Sequence, residues 1–369
     1  MPFANELMGP HVAEGLARGV AAAIPEAKLT YLQAAAPKLD GLTLRERSDV
    51  LRDALLSDVP GTYAELDSVV RKAAQSPSFS GWLIWPVTSA VATRAVQEDT
   101  EAAFDSALEL LAALTGGLSS EFAIRTLLRH DPQQALTTML AWTASPDEHV
   151  RRLASEGSRP YLPWSVRVPA LIESGGATIA ILDALYLDES DYVRRSVANH
   201  LNDLSRDEPE LVVATARRWL SGPDVHTPAL VRRGLRTLIK RGDKDALALL
   251  GYQGVDITFG PPELEEIDIP FGGTIRFRAT VQNDSSEAAR VAIDYVIHHR
   301  RISGAMTPKV FKLTTAEILP GEAVKIERAH SFRAISTRRY YPGTHAVGLQ
   351  VNGITSPTTP FELLQPTAL

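Results

Sequence analysis

The chain of 369 residues contains no cysteine. This absence excludes thiol catalysis, disulfide bonds, iron–sulfur clusters and cysteine zinc sites, and it suits a cytoplasmic protein. Long apolar runs are missing too, because none approaches the roughly 18 residues of a membrane span. The first residues lack a basic segment followed by an apolar one, so we expect neither a signal peptide nor a membrane partner.

Motifs of several enzyme classes are also missing. We find no P-loop, no dinucleotide-binding or kinase pattern, no zinc-deaminase signature and no nucleophile elbow. The nine histidines do not fall in metal-ligand spacing, so we expect no metal and no other cofactor. The chemistry that the sequence does offer is carboxylates placed beside arginines.

The net charge of −6 is unevenly distributed along the chain. Residues 1–150 contain 11 basic and 19 acidic side chains, whereas residues 151–253 contain 15 basic and 13 acidic ones. The remaining residues carry 12 of each sign. Because the basic residues of the middle section occur in pairs, the acidic total does not exclude a nucleic-acid partner.

A Val-Arg-Arg pattern repeats through the middle section at intervals of 43 and then 38 residues. Its arginine pairs are Arg151-Arg152, Arg194-Arg195 and Arg232-Arg233. Such intervals are typical of two-helix HEAT or armadillo repeats, which stack into an α-solenoid with a concave surface. We expect one arginine of each pair to brace the neighbouring repeat through an acidic residue such as Asp147 or Asp191. The other is turned by about 100° around the helix and would face the concave surface.

The composition changes after residue 253, where short alternating segments separated by turn residues replace the helical pattern. The segment 274–283 alternates apolar and polar residues strictly, and Asn352-Gly353 predicts a hairpin turn. We therefore predict a mainly α protein with two domains. Residues 1–253 would form the HEAT-like α-solenoid, and residues 254–369 an all-β immunoglobulin-like sandwich.

Two basic clusters lie beside predicted turns of the β domain. They contain the pairs Arg300-Arg301 and Arg338-Arg339, with aromatic neighbours at Tyr340 and Tyr341. Loop arginines next to aromatic rings suit a nucleic-acid groove or backbone. Solvated strand ends explain the same residues equally well, so both interpretations stay open here.

The stretch 149–169, HVRRLASEGSRPYLPWSVRVP, combines a helix with a rigid loop. The helical pattern breaks at Gly157, and two prolines follow. Glu156 near the helix end and Trp164 on the loop indicate a functional site. The alternative is an inter-helix loop with a buried tryptophan and a solvated arginine face. The arginines of the stretch are Arg151, Arg152, Arg159 and Arg167.

Two further carboxylates, Glu121 and Asp203, lie at predicted helix ends or repeat loops. Ser119 or Ser120 is placed to cap the helix that begins there, with Glu121 in its first turn. A stabilising interaction with the helix dipole is therefore an alternative role for Glu121.

The segments SEGSRPYLPWSVRVPAL and SDYVRRSVANHLNDLS closely resemble the AlkC family of bacterial alkylpurine DNA glycosylases. The resemblance covers nearly the whole chain. Its helical part is similar to the HEAT-like repeats shared with the related AlkD family, and its β part to the immunoglobulin-like domain of the AlkC subgroup. The SEG-x-RP-x-LPW motif is long and specific, whereas the Val-Arg-Arg repeats alone are not. Ser165 follows the motif tryptophan where some members have glycine.

The resemblance implies a monofunctional DNA glycosylase that excises cationic N3-methylated bases, chiefly 3-methyladenine and 3-methylcytosine, without flipping them into a tight pocket. It implies catalytic roles for Glu156, Asp203, Trp164 and Glu121. The carboxylates would stabilise an oxocarbenium-like sugar and position water, and the tryptophan would stack on the lesion or the sugar.

The expected partner is bent double-stranded DNA, bound by a monomer through arginines that neutralise phosphates. The candidate DNA-binding residues are Arg152, Arg159, Arg194, Arg195, Arg232, Arg233, Arg300, Arg301, Arg338 and Arg339. A HEAT-repeat scaffold that binds DNA or protein without catalysis is the main alternative. A carbohydrate-active protein with a β accessory module agrees with the paired carboxylates but not with the arginine pairs.

Overall fold

The structure is a computed structural model that describes residues 3–252, 256–335 and 338–365. The chain divides into two compact units, Met1–Gly234 and Leu235–Leu369. The first unit is helical and the second is mainly β, so the predicted fold class is confirmed. Within the described residues, no helix is both long enough and apolar enough to cross a bilayer.

The helical unit is built from short helices separated by tight turns, including 3₁₀ helices at Ala36–Leu39, Gly81–Leu83 and Gly175–Thr178. Its α-helices are α1 (Ala4–Leu7), α2 (Pro10–Ala23), α3 (Thr30–Gln33), α4 (Leu44–Asp58), α5 (Tyr63–Ala73), α6 (Ile84–Glu98), α7 (Glu101–Leu114), α8 (Ile124–His130), α9 (Pro132–Trp142), α10 (Glu148–Gly157), α11 (Pro169–Glu173), α12 (Ile179–Leu185), α13 (Asp191–Leu204), α14 (Pro209–Leu220) and α15 (Thr227–Gly234).

Side-chain caps define where several of these helices begin. Thr43 and Glu46 form a reciprocal capping box at the start of α4, and Asp147 accepts a hydrogen bond from the His149 amide at the start of α10. Such caps satisfy amides that have no partner within the helix. The prediction that a helix begins near Glu121 is wrong, because Glu121 lies in a turn and α8 begins at Ile124.

The helices that carry the Val-Arg-Arg pattern pack against one another in the order in which they occur along the chain. Helix α10 packs against α13, and α13 packs against α15, so each arginine pair occupies an equivalent place in successive repeats. Helices α4, α6 and α8 pack in the same way before them. A repeat pattern in which each helix pair contacts its neighbours is the architecture expected of a HEAT-like solenoid.

The second unit begins with two helices, α16 (Arg236–Arg241) and α17 (Lys244–Leu249), which precede the predicted boundary at 253/254. Ten strands follow in the described residues: β1 (Ile257–Phe259), β2 (Glu263–Leu264), β3 (Asp268–Ile269), β4 (Thr274–Asn283), β5 (Ala289–Arg300), β6 (Met306–Ile318), β7 (Ala323–Ser331), β8 (Gly343–Val351), β9 (Ile354–Thr355) and β10 (Thr359–Leu363).

The strands form two sheets that enclose an apolar core. One sheet has the order β1-β4-β2, with β7 also paired to β4, and the other has the order β3-β10-β8-β5-β6, with β9 paired to β8. The alternation predicted for 274–283 is confirmed, because Ile275, Phe277 and Val281 are buried. Phe277 packs with Tyr295 of the opposite sheet, as expected of a sandwich.

The predicted turn between β8 and β9 is also present. Asn352 and Gly353 have φ values of 45° and 79°, the left-handed region that a two-residue hairpin requires. The α16–α17 turn approaches this hairpin so closely that a Cβ on Gly242 would lie 2.4 Å from the Gly353 Cα. This close contact packs α16 and α17 against the strands of the same unit.

Gly157 is placed where α10 meets α8, and we predict that this position requires glycine. A Cβ there would lie 2.7 Å from Cγ2 of Ile124, whose β-branched side chain has little freedom to move. We expect Gly157→Ala to lower the free energy of unfolding by about 1–3 kcal/mol, measured by urea denaturation. Gly222→Ala is the control, because no atom lies within 4 Å of its Cβ. Equal stability of the two variants would contradict this packing argument.

Candidate functional site

The motif stretch ends α10 at Gly157 and continues as a loop from Ser158 to Val168. Arg125 of α8 holds both ends of this loop and is itself fully buried. Its Nη1 donates to the carbonyl oxygens of Gly157 at 3.0 Å and Arg159 at 2.7 Å, and its Nε donates to that of Val166 at 2.7 Å. Burial, together with the positive charges of Arg167 and Arg159, lowers the Arg125 pKa to about 10.

A second set of contacts supports the middle of the loop. The Tyr161 hydroxyl donates to Asp207 at 2.8 Å, and the guanidinium groups of Arg167 and Arg206 lie 4.9 and 4.3 Å from the Tyr161 ring centroid. Cation–π contacts of this kind stabilise an exposed ring by about 0.5–1 kcal/mol. The loop is therefore held by side chains of α8, by its own Arg167 and by residues following α13.

Trp164 projects from this loop with 78% of its surface exposed. Its φ of 58° lies in the left-handed region, which is unfavourable for a bulky side chain by about 1–3 kcal/mol. Arg45 of α4 donates a hydrogen bond to its carbonyl oxygen. The alternative of a loop with a buried tryptophan is therefore wrong for Trp164, and a large exposed ring in a strained backbone indicates a binding function.

Beside the loop, three carboxylates alternate with two guanidinium groups. Arg152 contacts Glu121 at 2.6 Å and Glu156 at 3.7 Å, and Arg159 contacts Glu156 at 2.5 Å and Asp203 at 2.9 Å. We call these five residues the carboxylate–arginine network. It brings together the turn before α8, helix α10, the motif loop and helix α13.

The network is mostly buried, with Glu156 6% and Asp203 3% exposed. Burial alone disfavours a charged guanidinium, yet the pKa values of Arg152 and Arg159 are raised because the neighbouring carboxylates outweigh it. With all five groups ionised, the network has one unbalanced negative charge. This charge lies next to the strained loop, where it would attract a cation.

Two residues that sequence reasoning missed complete the environment of Glu156. The Ser196 hydroxyl donates to its carboxylate at 2.7 Å. His200, one turn further along α13, lies 2.8 Å through Nδ1 from the Ser155 carbonyl oxygen and 3.0 Å through Nε2 from the Thr178 hydroxyl. These bonds assign the imidazole proton to Nδ1, and complete burial lowers the His200 pKa to about 3.

Arg152 and Arg159 were also predicted to bind DNA, but the structure places both guanidinium groups in the network. Arg159 is buried, and Arg152 lies 4.9 Å from the Tyr192 ring centroid as well as beside its two carboxylates. Their immediate role is therefore to separate the carboxylates. Carboxylates balance the positive charge of both guanidinium groups, so neither charge is available to a phosphate.

Only the pair Arg194-Arg195 divides into one buried and one exposed arginine, as the helix geometry predicts. Arg151 pairs with Asp188 at 2.7 Å, and Arg194 donates to the carbonyl oxygens of Asp188 and Glu189 at 2.6 and 2.8 Å. Both brace the turn before α13. Arg151 does so through Asp188 rather than the expected Asp147, whereas Arg194 lies 3.7 Å from the expected Asp191. The buried Arg194 is consequently unsuited to the phosphate contact predicted for it.

Three arginines of the later two pairs lie at the surface. Arg195, Arg232 and Arg233 are exposed, and Arg195 pairs with Asp191 at 3.0 Å. Arg195 and Arg233 line a cleft of about 150 Å³. Their contact with DNA stays a prediction.

The basic residues of the β unit lie at strand ends and turns. Arg300 and Arg338 are half-buried, whereas Arg301 and Arg339 are exposed. The Arg301 side chain donates to the Thr307 hydroxyl across the β5–β6 hairpin, and Arg339 lies 5.6 Å from the Tyr341 ring centroid. DNA contact by this group also stays a prediction.

We predict that Arg125 is required for the loop. Arg125→Met removes the donor from three carbonyl oxygens, so the free energy of unfolding should fall by about 2–4 kcal/mol. Amide hydrogen exchange of residues 158–168 should accelerate at the same time. Arg129→Met on the exposed side of the same helix is the control and should change stability by less than about 0.5 kcal/mol. Unchanged exchange in the Arg125 variant would contradict the brace.

The buried His200 predicts that the stability of the helical unit depends on pH. All five tryptophans precede residue 235, so tryptophan fluorescence reports the unfolding of this unit separately from that of the β unit. A neutral histidine with a lowered pKa contributes stability above pH 6.5, and this stability is lost as pH falls toward 3. One proton corresponds to a slope of about 1.4 kcal/mol per pH unit. Fluorescence-detected denaturation should show a smaller slope for His200→Asn; the same slope in both proteins would contradict the assignment.

Comparisons with known proteins identify one family model and two proteins that are similar to this chain. Residues 259–365 match the family model described as the C-terminal Ig-like domain of uncharacterised protein YhaZ. The protein named YhaZ from Bacillus subtilis (strain 168) is 35% identical over 323 residues, covering 87% of this chain and 88% of that protein. Pseudomonas fluorescens alkylpurine DNA glycosylase AlkC, solved bound to DNA containing an abasic-site analogue, is 33% identical with a TM-score of 0.87 over 99% of this chain and 100% of that chain. At these identities and coverages, the chain belongs to the protein family that includes YhaZ and AlkC.

Proposed function

We propose that this protein is a DNA glycosylase that removes cationic N3-alkylated bases, such as 3-methyladenine and 3-methylcytosine, from duplex DNA. The observation that supports it most is the carboxylate–arginine network beside the exposed Trp164. The similarity to the DNA glycosylase AlkC, whose structure contains DNA with an abasic-site analogue, supports the same class of reaction, the removal of a base from DNA.

The chemistry follows from the charge of the substrate. An alkylated base with a positive charge leaves as a neutral molecule when the bond between C1′ and the base nitrogen breaks, so no general acid is needed. Positive charge then develops on the deoxyribose, and a water oxygen forms the new bond to C1′. Glu156 and Asp203 would stabilise that charge and accept the proton of the water.

Arg152 and Arg159 have a different role from the carboxylates in this reaction. Three carboxylates brought close together repel one another, and this repulsion opposes the arrangement that catalysis needs. Arg152 and Arg159 lie between the carboxylates and place a positive charge beside each of them. Because the network offers no amine to form a covalent adduct with the sugar, the activity would be monofunctional.

Trp164 would recognise the lesion from the surface of the loop. Its ring is available for stacking, and attraction between a cation and the indole face favours a methylated base over a neutral one. A side chain with 78% exposure does not require the base to enter an enclosed pocket. This geometry supports excision without full base flipping, in contrast to glycosylases that enclose an extruded base.

Phosphate contacts would hold the duplex. The exposed Arg195, Arg232 and Arg233 suit this role in the helical unit. In the β unit the corresponding candidates are Arg300, Arg301, Arg338 and Arg339, in loops that suit entry into a widened minor groove. Their clustering at turns supports the proposal.

The test is release of 3-methyladenine from methylated duplex DNA under single-turnover conditions. We expect Glu156→Gln and Asp203→Asn each to lower the rate at least about tenfold, or 1.4 kcal/mol, with DNA affinity largely retained. The exposed Glu173 of α11, which is not a member of the network, provides the control variant Glu173→Gln.

The outcomes separate the proposal from its main alternative. Salt-dependent DNA binding by the wild-type protein without any base release would favour a non-enzymatic scaffold. Near wild-type rates in both network variants would refute the catalytic roles of the two carboxylates even if the protein is a glycosylase.

A further inference from the structure

A cleft of about 440 Å³ lies between α4, α6 and α8 in the helical unit. None of its lining residues belongs to the carboxylate–arginine network, but Val166 of the motif loop is one of them. Three arginines line it, Arg45, Arg52 and Arg129, against a single carboxylate, Asp49. The reaction proposed above does not use this cleft.

The charges of the cleft are only partly balanced within the described residues. Arg52 pairs with Asp49 at 2.7 Å and with the neighbouring Asp53 at 2.8 Å. Arg129 is exposed and has no ion pair in the described structure, and Arg45 donates only to the Trp164 carbonyl oxygen. Two guanidinium groups are therefore open to an anion.

One wall of the cleft is apolar. Phe122 is half-buried and stacks on Trp85 at a centroid distance of 4.5 Å, which fixes the orientation of its ring. Val166 adds an exposed aliphatic surface. A cavity of about 440 Å³ is larger than a phosphate ion needs, and the combination of cationic and apolar walls suits an anion attached to a sugar or ring.

The sign of the charge decides which part of the DNA could occupy the cleft. A released cationic base would be repelled by Arg45 and Arg129, whereas a phosphodiester would be attracted by both. Arg45 links the cleft to the lesion-recognition loop, because it holds the backbone of Trp164. We infer that the cleft binds a backbone phosphate and its deoxyribose from DNA flanking the lesion. This inference rests on the proposed function, since it assumes a DNA substrate.

Arg129 offers the cleanest test, because Arg45 also supports Trp164 and its loss would disturb the loop. The experiment measures binding of duplexes that contain an abasic-site analogue and one neutral methylphosphonate, moved stepwise along each strand. For the wild-type protein, we expect one or two adjacent substitutions to weaken binding by about three- to tenfold. In Arg129→Gln the same substitutions should have no further effect, and the salt dependence should correspond to about one phosphate contact fewer.

The matched control is Arg18→Gln, which removes an exposed arginine of α2 that pairs with Glu14 at 3.8 Å. It should retain the wild-type pattern, and circular dichroism should confirm that both variants are folded. If each methylphosphonate weakens Arg129→Gln as much as the wild type, the cleft does not bind the DNA backbone.

Two further outcomes identify where the inference fails. If inorganic phosphate or deoxyadenosine monophosphate binds the wild type but not Arg129→Gln, while the methylphosphonate pattern is identical in both, the cleft binds a free anion and the DNA assignment is overturned. Failure of the wild type to bind any duplex would refute the proposed function as well. Normal DNA binding and excision with an unaltered pattern would refute the cleft alone.

Discussion

The buried contact between Arg159 and Glu156 is the interaction on which the site depends. Carboxylates taken out of water lose hydration, and neighbouring ones repel, so a buried group of them is stabilised by cations that lie between them. Arg159 meets this requirement by contacting Glu156 and Asp203, which belong to different helices. Since Arg159 also provides a carbonyl oxygen to Arg125, the position of the charges and the path of the loop are determined together.

The loop illustrates how a rigid frame supports an unfavourable local conformation. The positive φ of Trp164 is disfavoured, and nothing in the exposed ring itself offsets this. Arg45 fixes its carbonyl group, and Arg125 fixes the chain before and after it. A tryptophan held in this way loses little further freedom when it stacks on a ligand, which is the benefit of an ordered binding residue.

Local patterns in the sequence predicted the elements, and contacts between distant residues determined the details. The alternation in 274–283 and the Asn352-Gly353 turn depend on neighbouring residues and the Val-Arg-Arg pattern on a regular interval, and all three appear in the structure. Arg125 was missed because its partners are backbone carbonyl groups more than 30 residues away, and carbonyl groups have no residue-type signature. Resemblance to a family singled out three carboxylates that the structure brings together, yet only the structure revealed that arginines expected on DNA separate them.

The internal use of arginine has a consequence for DNA recognition. Arg151, Arg159 and Arg194 donate to groups within the helical unit, as do Nε and Nη1 of Arg125, so the charges available to phosphates are fewer than the sequence suggests. With a net charge of −6, general attraction to undamaged DNA would be weak. Selectivity under the proposed function would then come from interactions that undamaged DNA lacks: a cationic base against Trp164 and positive charge developing on the sugar next to Glu156 and Asp203. An enzyme arranged in this way favours the transition state over the many competing undamaged sites.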